Sequence, residues 1–169
     1  MEFKHTPVML EECIENLNIK ANGIYVDGTI GGAGHSKEII KKIGEEGLLI
    51  GIDRDEEALK SAKKTLEKYS NVKYVHGNHD DIKKILNDLE IDKVDGILLD
   101  LGVSSYQLDE RNRGFSYIGD NKLDMRMDKT QNLTAEIVVN TYPEQKLSDI
   151  IYEYGEERFS RQIANRTII

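Results

Sequence analysis

The sequence predicts an α/β protein with a mostly parallel sheet and helices on both faces of that sheet. Three observations support this prediction. Short apolar runs alternate with amphipathic segments through the first hundred residues, a glycine-rich turn follows the first run, and an acidic residue follows the second. Strands and helices that alternate at this spacing are joined by right-handed crossovers, which make neighbouring strands parallel. The turn and the acid are therefore expected at one edge of the sheet.

The predicted elements of the first hundred residues follow from these runs. Thr6 and Pro7 are typical of a helix start, because proline is tolerated at the first helical position. Strands are predicted over 24–27, 48–52, 72–75 and 94–99. Helices are predicted over 36–43, from the cap Asp55 to about 69, and from the cap Asp80 or Asp81 to 89. The non-alternating runs 48–50 and 97–99 indicate strands that are covered on both faces.

Beyond Asp100 the pattern changes. Residues 101–132 are rich in Gly, Ser, Asp, Asn and Arg, which predicts a long irregular loop, and such loops are often functional. Helices are predicted over 133–140, 143–154 and 156–169, and no further strand is expected. Because this predicts only a small sheet for a doubly wound fold, we expect the chain to be a fragment of a longer protein.

Composition limits the class of protein. The 169 residues, of which 38% are hydrophobic and 32% charged, are sufficient for one globular domain with a sizeable core. No apolar run approaches the roughly 18 residues of a membrane span, and the N-terminus lacks the layout of a signal peptide. The single cysteine, Cys13, cannot form an internal disulfide. These features favour a cytoplasmic protein without a membrane partner.

The net charge of −8 argues weakly against a nucleic-acid partner, because phosphate contacts require lysine and arginine. An RNA-facing surface is nevertheless available locally in the second half of the chain. Its candidates are Arg111, Arg113, Lys122, Arg126, Lys129, Arg158, Arg161 and Arg166. Solvated surface is the commoner role of such scattered arginines, so this patch is a weak signal by itself.

The glycine-rich turn that ends at Ser36 is the first candidate ligand site. Glycine lets a ligand approach the backbone closely, and the helix that follows directs free amides at that ligand. Asp27, just before the turn, either bonds a ligand's ammonium group or orients the loop amides; a simple turn residue is the alternative. Lys37 stands where a dinucleotide fingerprint has its third glycine, which weakens an interpretation as an NAD site.

Polar residues after the next two strands extend this candidate site. Asp53 lies roughly 20 residues beyond the turn, the offset of an acid that binds ribose hydroxyls. A helix cap is the alternative role, but Asp55 suits the cap better. After the third strand, Asn78 or Asp80 could bond an adenine amine, and His79 could lie against the ring. Together the signals indicate a nucleoside-cofactor cleft.

Asp100 follows the fourth strand at the same edge of the sheet. A carboxylate there can accept a hydrogen bond or a proton from an amine, although a helix cap or loop anchor is an equally consistent interpretation. Ser104 and Ser105 have no nearby His–Asp pattern, so a nucleophilic serine is not expected. The four histidines lack clustered partners, and we predict no metal site.

Several longer motifs are more specific than the turn. They are His5–Leu10, Asp27–Ser36, Gly51–Asp55, Asp95–Ser105, Gln107–Asp109, Arg113–Ser116, Leu123–Asp128 and Tyr154–Phe159. In these motifs the chain resembles the bacterial small-subunit ribosomal RNA cytosine-N4 methyltransferases of the MraW type. The resemblance covers essentially all of the chain.

This resemblance implies a Rossmann-like class I methyltransferase that uses S-adenosyl-L-methionine to methylate one cytosine of the ribosomal decoding region. Residues 1–103 would be the cofactor-binding part, and 104–169 a loop and an incomplete helical substrate-recognition insertion. The family's cofactor contacts fall on Ala33, Gly34, His35, Asp53, His79, Asp100 and Gln107, and the glycine-rich turn itself adds Asp27 and Gly32 as candidates. Ala33 stands where the family commonly has glycine, and His79 where it commonly has phenylalanine.

The resemblance also implies roles in catalysis and substrate binding. Asp100 is the candidate catalytic group, which either accepts from the cytosine amine or aligns the cofactor's amino-acid end. The candidates for RNA phosphate contacts are Arg111, Arg113, Arg126 and Arg158. The implied partner is small-subunit ribosomal RNA or the assembled subunit, and a homodimer is left open. Two alternatives are an NAD-dependent oxidoreductase and a module that binds S-adenosylmethionine or RNA without catalysis.

Overall fold

The computed structural model describes residues 7–118 and 120–167. The chain forms two compact units, Met1–Val103 and Ser104–Ile169. The strands of the first unit are β1 (Ile24–Asp27), β2 (Leu48–Asp53), β3 (Val72–His76) and β4 (Gly96–Leu98). Its helices are α1 (Leu10–Asn16), α2 (Gly34–Ile43), α3 (Glu56–Thr65) and α4 (Ile82–Asp88).

The strands form one parallel sheet in the order β3-β2-β1-β4. In the register of this sheet, Asp27 at the end of β1 lies beside Gly51 and Leu98. Asp53 at the end of β2 lies beside His76. All four strands therefore end at one edge, as the alternating apolar runs predict.

Successive side chains of the central strands belong to different hydrophobic clusters. Tyr25 and Leu49 pack with α1, α2 and α3 in one cluster. Val26 and Ile50 pack with α4 in the other. These four side chains are completely buried, and each contributes roughly 1.5–3 kcal/mol relative to exposure. The predicted α/β fold with helices on both faces is confirmed.

Two predicted helix boundaries and one predicted burial pattern differ most from the structure. Helix α1 begins at Leu10 rather than at Pro7, because Met9 has a left-handed backbone with φ 49°; Thr6 lies outside the described residues. Helix α3 ends at Thr65 instead of continuing to 69. The predicted cover on both faces of 97–99 is wrong: Ile97 and Leu99 are each 44% exposed. Among the described strands, β4 pairs with β1 alone.

The second unit contains helices and an irregular loop. Its helices are α5 (Ser105–Asp109), α6 (Ala135–Thr141), α7 (Glu144–Gly155) and α8 (Ser160–Thr167), and a 3₁₀ turn spans Arg111–Arg113. Helix α5 and the 3₁₀ turn interrupt the predicted irregular loop. The last predicted helix begins later than 156, because Glu156 has φ 50° and ends α7; its residues 168 and 169 lie outside the described residues.

Helices α7 and α8 pack against each other through small and apolar side chains. Leu147 and Ala164 are buried, and the hydroxyls of Ser148 and Ser160 lie 3.2 Å apart. Over residues 7–118 and 120–167, no helix is both long enough and apolar enough to cross a bilayer.

Candidate functional site

The carboxylate of Asp27 organises the glycine-rich turn from within the core. It is 1% exposed; Oδ2 accepts from Ser36 Oγ at 2.6 Å, and Oδ1 accepts from the Thr29 amide at 3.2 Å. Burial raises the pKa of Asp27 to about 6, although the bonds from Ser36 and Thr29 oppose the rise. Of the roles predicted for this acid, the structure favours orientation of the loop over direct contact with a ligand.

An alanine adopts a left-handed backbone conformation at the end of the turn. Ala33 has φ 66° and precedes α2, where it supplies no side-chain cap for the first amides of the helix. These amides are thus suited to bind a ligand oxygen, as the sequence predicts. Gly31 also has a positive φ, of 49°. Alanine adopts this backbone conformation only with strain, so this conformation favours the glycine that the resemblance implies at position 33.

The side chain of Ile30 anchors the middle of the turn to the sheet. It is buried and lies directly against Gly51 of β2, so that a Cβ at position 51 would overlap its Cδ1. The Ile30 amide donates to the Ile52 carbonyl at 3.0 Å. The turn is therefore held to β2 by both a backbone bond and close packing.

The segment before α1 covers the start of α2. A Cβ on Gly34 would overlap the ring of Pro7, so glycine is required there for close packing. His35 is buried, and its Nε2 donates to the Val8 carbonyl at 3.0 Å. The imidazole of His35 therefore bonds to the protein itself. The predicted contact of His35 with a cofactor would have to come from its backbone amide.

Asp53 joins the end of β2 to the turn. Its Oδ2 accepts from the Gly31 amide and its Oδ1 from the Asp55 amide, each at 2.9 Å. Burial raises the pKa of Asp53. A carboxylate has about four acceptor positions, so capacity for ligand hydroxyls remains. Asp55 caps α3 by accepting from the Glu57 amide, which confirms its predicted role as the helix cap.

His79, which follows β3, lies beside the glycine-rich turn. A Cβ on Gly28 would lie 3.2 Å from His79 Cβ and 2.5 Å from Leu99 Cδ2, so these side chains border the first glycine of the turn. The Nε2 of His79 lies 3.4 Å from Asp80 Oδ1. Asn78 donates to the other oxygen of Asp80 at 3.1 Å. The two candidates for an adenine amine contact thus bond to each other.

Asp100 completes the arrangement at the end of β4. Its amide donates to Thr29 Oγ1 at 2.7 Å. Its side chain is exposed, and within the described parts of the chain the carboxylate has no hydrogen-bond or ion-pair partner. Thr29 was not among the predicted site residues. The available sequence signal was its place between Asp27 and the paired glycines Gly31 and Gly32.

The turn is the common partner of all four strand ends. Within the turn, Thr29 is hydrogen-bonded to both Asp27 and Asp100. The Gly31 amide donates to Asp53, and Gly28 lies beside the side chain of His79. The structure thus brings together the predicted cofactor residues of the first unit. Among the described residues, no three His, Cys, Asp or Glu side chains are grouped closely enough to hold a metal ion.

The remaining predicted cofactor residue, Gln107, belongs to the second unit. The backbone amide of Gln107 donates to Ser104 Oγ at 3.2 Å, and its side-chain Oε1 accepts from the backbone amide of Ser104 at 3.1 Å. This reciprocal capping box starts α5 and fixes the side chain of Gln107. Gln107 is 6% exposed.

Two predicted phosphate contacts are corrected by the structure. Arg113 is 2% exposed and donates through Nη2 to the carbonyls of Arg126 and Met127, at 3.0 and 3.1 Å. Arg126 donates through Nε and Nη2 to both oxygens of Asp124, at 2.8 and 2.7 Å. Its Nη1 donates to the carbonyls of Lys129 and Gln131. Both guanidinium groups hold the loop, while Arg111 and Arg158 are exposed.

A family model described as the MraW methylase family matches residues 2–168 of this chain. The chain belongs to the MraW methylase family. The resemblance carried by its sequence motifs is thereby confirmed. The region matched by the MraW model covers both compact units except for the first and last residues of the chain.

Two curated relatives of this MraW family member carry the same name. "Ribosomal RNA small subunit methyltransferase H" of Clostridium botulinum (strain Kyoto / Type A2) is 61% identical over 164 residues, 97% of this chain and 53% of the relative. The protein of that name in Clostridioides difficile (strain 630) is 56% identical over 165 residues, with the same coverage. The chain spans about half the length of the curated relatives it matches. A solved SAM-dependent O-methyltransferase from Thermotoga maritima is similar at 19% identity over 60% of this chain and 38% of that one, with a TM-score of 0.47.

Proposed function

We propose that this chain supplies the cofactor-binding part of a methyltransferase that acts on N4 of a cytosine in small-subunit ribosomal RNA. Membership of the MraW methylase family and the shared name of the relatives support the reaction and the substrate. The observation that carries the cofactor proposal is the bond between Asp53 and the Gly31 amide, which joins a ribose acceptor to the turn. A bacterial ribosomal substrate implies a cytoplasmic protein, and the homodimer stays a prediction.

The donor and acceptor groups of the site fit S-adenosyl-L-methionine. Asp53 has acceptor capacity for the ribose hydroxyls, and the uncapped amides that begin α2 suit a carboxylate. His79 supplies an imidazole beside Gly28 for the adenine ring. Asp27 and Ala33 shape the turn, Gly32 and Gly34 keep it free of side chains, and His35 contributes its amide. When bound, the cofactor supplies a methyl group on a positively charged sulfur.

Asp100 is the group of this chain that is suited to act on the reacting atoms. The lone pair of the cytosine amine is delocalised into the ring, so the amine is a weak nucleophile. A carboxylate that accepts a hydrogen bond from an N–H of this amine would return electron density to nitrogen, and it would take the proton that nitrogen loses on methylation. Alternatively, Asp100 aligns the ammonium group of the cofactor. The Asp100→Asn variant separates these roles. Loss of the contact with the cytosine amine would lower the transfer rate, whereas loss of the contact with the ammonium group would lower the cofactor affinity.

The substrate side of the proposal depends on exposed arginines of the second unit. Arg111 and Arg158 are retained as candidates for phosphate contacts, because their side chains are exposed. The target cytosine must be unstacked before its amine can reach a cofactor pocket. The side chain of Gln107 remains a predicted cofactor contact.

Two measurements test the proposed function against its alternatives. In calorimetry, the chain is expected to bind S-adenosylhomocysteine and to ignore NADH; the opposite preference would identify an oxidoreductase. Unmethylated small subunits and cofactor with a labelled methyl group then test transfer. Label transferred to cytosine N4 by the full-length protein supports the enzyme, while cofactor binding without transfer by that full-length protein indicates a binding module.

A further inference from the structure

We propose that Thr29 is a positioning residue that holds Asp100 in place for the cofactor and the reacting amine. Its hydroxyl fixes the backbone at Asp100 and so determines where the Asp100 carboxylate lies. This inference rests on the proposed function, because it assigns Thr29 a role in the same site. Neither the motifs nor the names of the relatives assign a role to this threonine.

The Thr29 hydroxyl continues the pairing of β1 with β4 after the backbone ladder stops. The last backbone bond between these segments runs from the Gly28 amide to the Leu98 carbonyl, at 2.9 Å. The next contact is the 2.7 Å bond from the Asp100 amide to Thr29 Oγ1, between residues 71 positions apart. Among the described residues this is the hydrogen bond that fixes Asp100, since the Asp100 side chain has no partner there.

Thr29 is itself held firmly enough to serve as a reference point. Its amide donates to Asp27 Oδ1, and Oδ2 of the same buried carboxylate accepts from Ser36 Oγ. A β-branched side chain also has a restricted χ1 angle, so a fixed backbone fixes the direction of Oγ1. A chain of hydrogen bonds therefore runs from Ser36 in α2 through Asp27 and Thr29 to Asp100.

Substitution of Thr29 separates the hydroxyl from the shape of the side chain. Thr29→Val keeps the volume and removes the acceptor, whereas Thr29→Ser keeps the hydroxyl. Loss of one hydrogen bond of about 1.4 kcal/mol corresponds to tenfold. We therefore expect Thr29→Val to weaken S-adenosylhomocysteine binding about tenfold where Asp100 aligns the cofactor's ammonium group, or to lower the transfer rate about tenfold where Asp100 accepts from the cytosine amine. Thr29→Ser should stay within about twofold in both measurements. Thr65→Val is the matched control, because the Thr65 hydroxyl bonds an exposed helical carbonyl of Ser61.

A double-mutant cycle tests whether Thr29 acts through Asp100. Thr29→Val is measured in the unmodified chain and in the Asp100→Asn variant. If the hydroxyl positions Asp100, its loss costs little once the carboxylate is gone. An equal loss of affinity in both backgrounds would overturn the proposal, because Thr29 would then act independently of Asp100.

Amide hydrogen exchange tests the role of Thr29 separately from the proposed function. The Asp100 amide is expected to exchange at least tenfold faster in Thr29→Val than in Thr29→Ser, with no ligand present. Unchanged exchange would overturn the role of Thr29 whatever the chain binds. An unmodified chain that binds no S-adenosylhomocysteine would instead overturn the cofactor site, and with it the purpose of the Thr29 contact.

Discussion

The carboxylates of Asp27 and Asp124 occupy turns of the two compact units, and their pKa values move in opposite directions. Burial raises the pKa of Asp27 to about 6, and the hydrogen bonds from a hydroxyl and a backbone amide only partly oppose this rise. The hydrogen bonds and charge of Arg126 lower the pKa of Asp124 to about 2. The first unit thus keeps a poorly compensated acid beside its candidate ligand site, and the second uses an ion pair to stabilise an irregular loop.

The same contrast extends to the other charged residues of each unit. Asp53 and Asp100 retain acceptor capacity at the edge of the sheet. Arg113 and Arg126 use their guanidinium groups on partners within their own unit. A charged residue at the end of a parallel strand is therefore a better candidate for ligand binding than one in an irregular loop.

The largest expected effect is the loss of Arg113 from the second unit. Arg113→Met removes the donor to the partly buried carbonyls of Arg126 and Met127, and each such acceptor left unpaired costs about 1–3 kcal/mol. We expect the free energy of unfolding to fall by about 4 kcal/mol in urea denaturation. Arg111→Met, at an exposed neighbouring site, is the control and should cost less than about 0.5 kcal/mol. Equal losses would show that Arg113 does not hold the loop.

The Arg111→Met variant also tests the substrate surface. If Arg111 contacts a phosphate, its loss weakens binding of a small-subunit RNA fragment and lowers the slope of log affinity against log salt by about one. Filter binding at several salt concentrations measures that slope. An unchanged slope would remove Arg111 from the RNA interface.

The pH dependence of stability is the next expected effect. Asp27 has a folded pKa of about 6 against an ordinary value of 3.8, so the folded chain binds more protons between these values. Its contribution is therefore complete below about pH 4 and is lost as the pH rises through 6, on the order of 3 kcal/mol. The lowered pKa of Asp124 acts in the opposite sense, adding stability as the pH rises from about 2 towards 4.

The Asp27→Asn variant isolates this effect. The amide cannot titrate, so the variant's free energy of unfolding should lose the decline between pH 4 and 6. Urea unfolding at half-unit pH steps gives the two curves. Parallel curves for the variant and the unmodified chain would contradict the raised pKa of Asp27.

Removal of the Asp53 carboxylate tests whether this acid of the first unit binds a ligand. Asp53→Ala deletes the proposed ribose acceptor and frees the Gly31 amide. Hydrogen bonds to a charged group contribute about 1.5–3 kcal/mol, so S-adenosylhomocysteine should bind about 100-fold more weakly in calorimetry. Asp88→Ala changes an exposed acid at the end of α4 and should leave the affinity unchanged. An unaltered affinity for Asp53→Ala would refute the ribose role.

The smallest expected effect concerns the strained alanine of the turn. Ala33 and Ala62 are both completely buried, but only Ala33 has a left-handed backbone. Ala62→Gly should cost about 1–2 kcal/mol, because a helical alanine and its buried methyl are lost. Ala33→Gly should stay within about 0.5 kcal/mol, since relief of strain offsets the same losses. Similar costs in thermal unfolding would show that φ 66° is not strained.

The fold and the position of the site were predictable because parallel topology brings strand ends together. The runs at 24–27 and 48–52, with Asp53 just beyond the second, were sufficient to place the site at one edge. The contact of Thr29 with Asp100 was not predictable, because nothing local marks two residues 71 positions apart as partners. The roles of Arg113 and Arg126 were missed for the same reason, since their acceptors are mostly backbone carbonyls of a folded loop.

The packing of Ile30 on Gly51 has a consequence for genetic screens. Any side chain introduced at position 51, within the sheet, must push Ile30 away and shift the turn. A selection for lost cofactor affinity should therefore recover substitutions of Gly51 alongside those of contact residues such as Asp53. A binding footprint drawn from such a selection would extend into the protein interior, beyond any atom that a small molecule can reach.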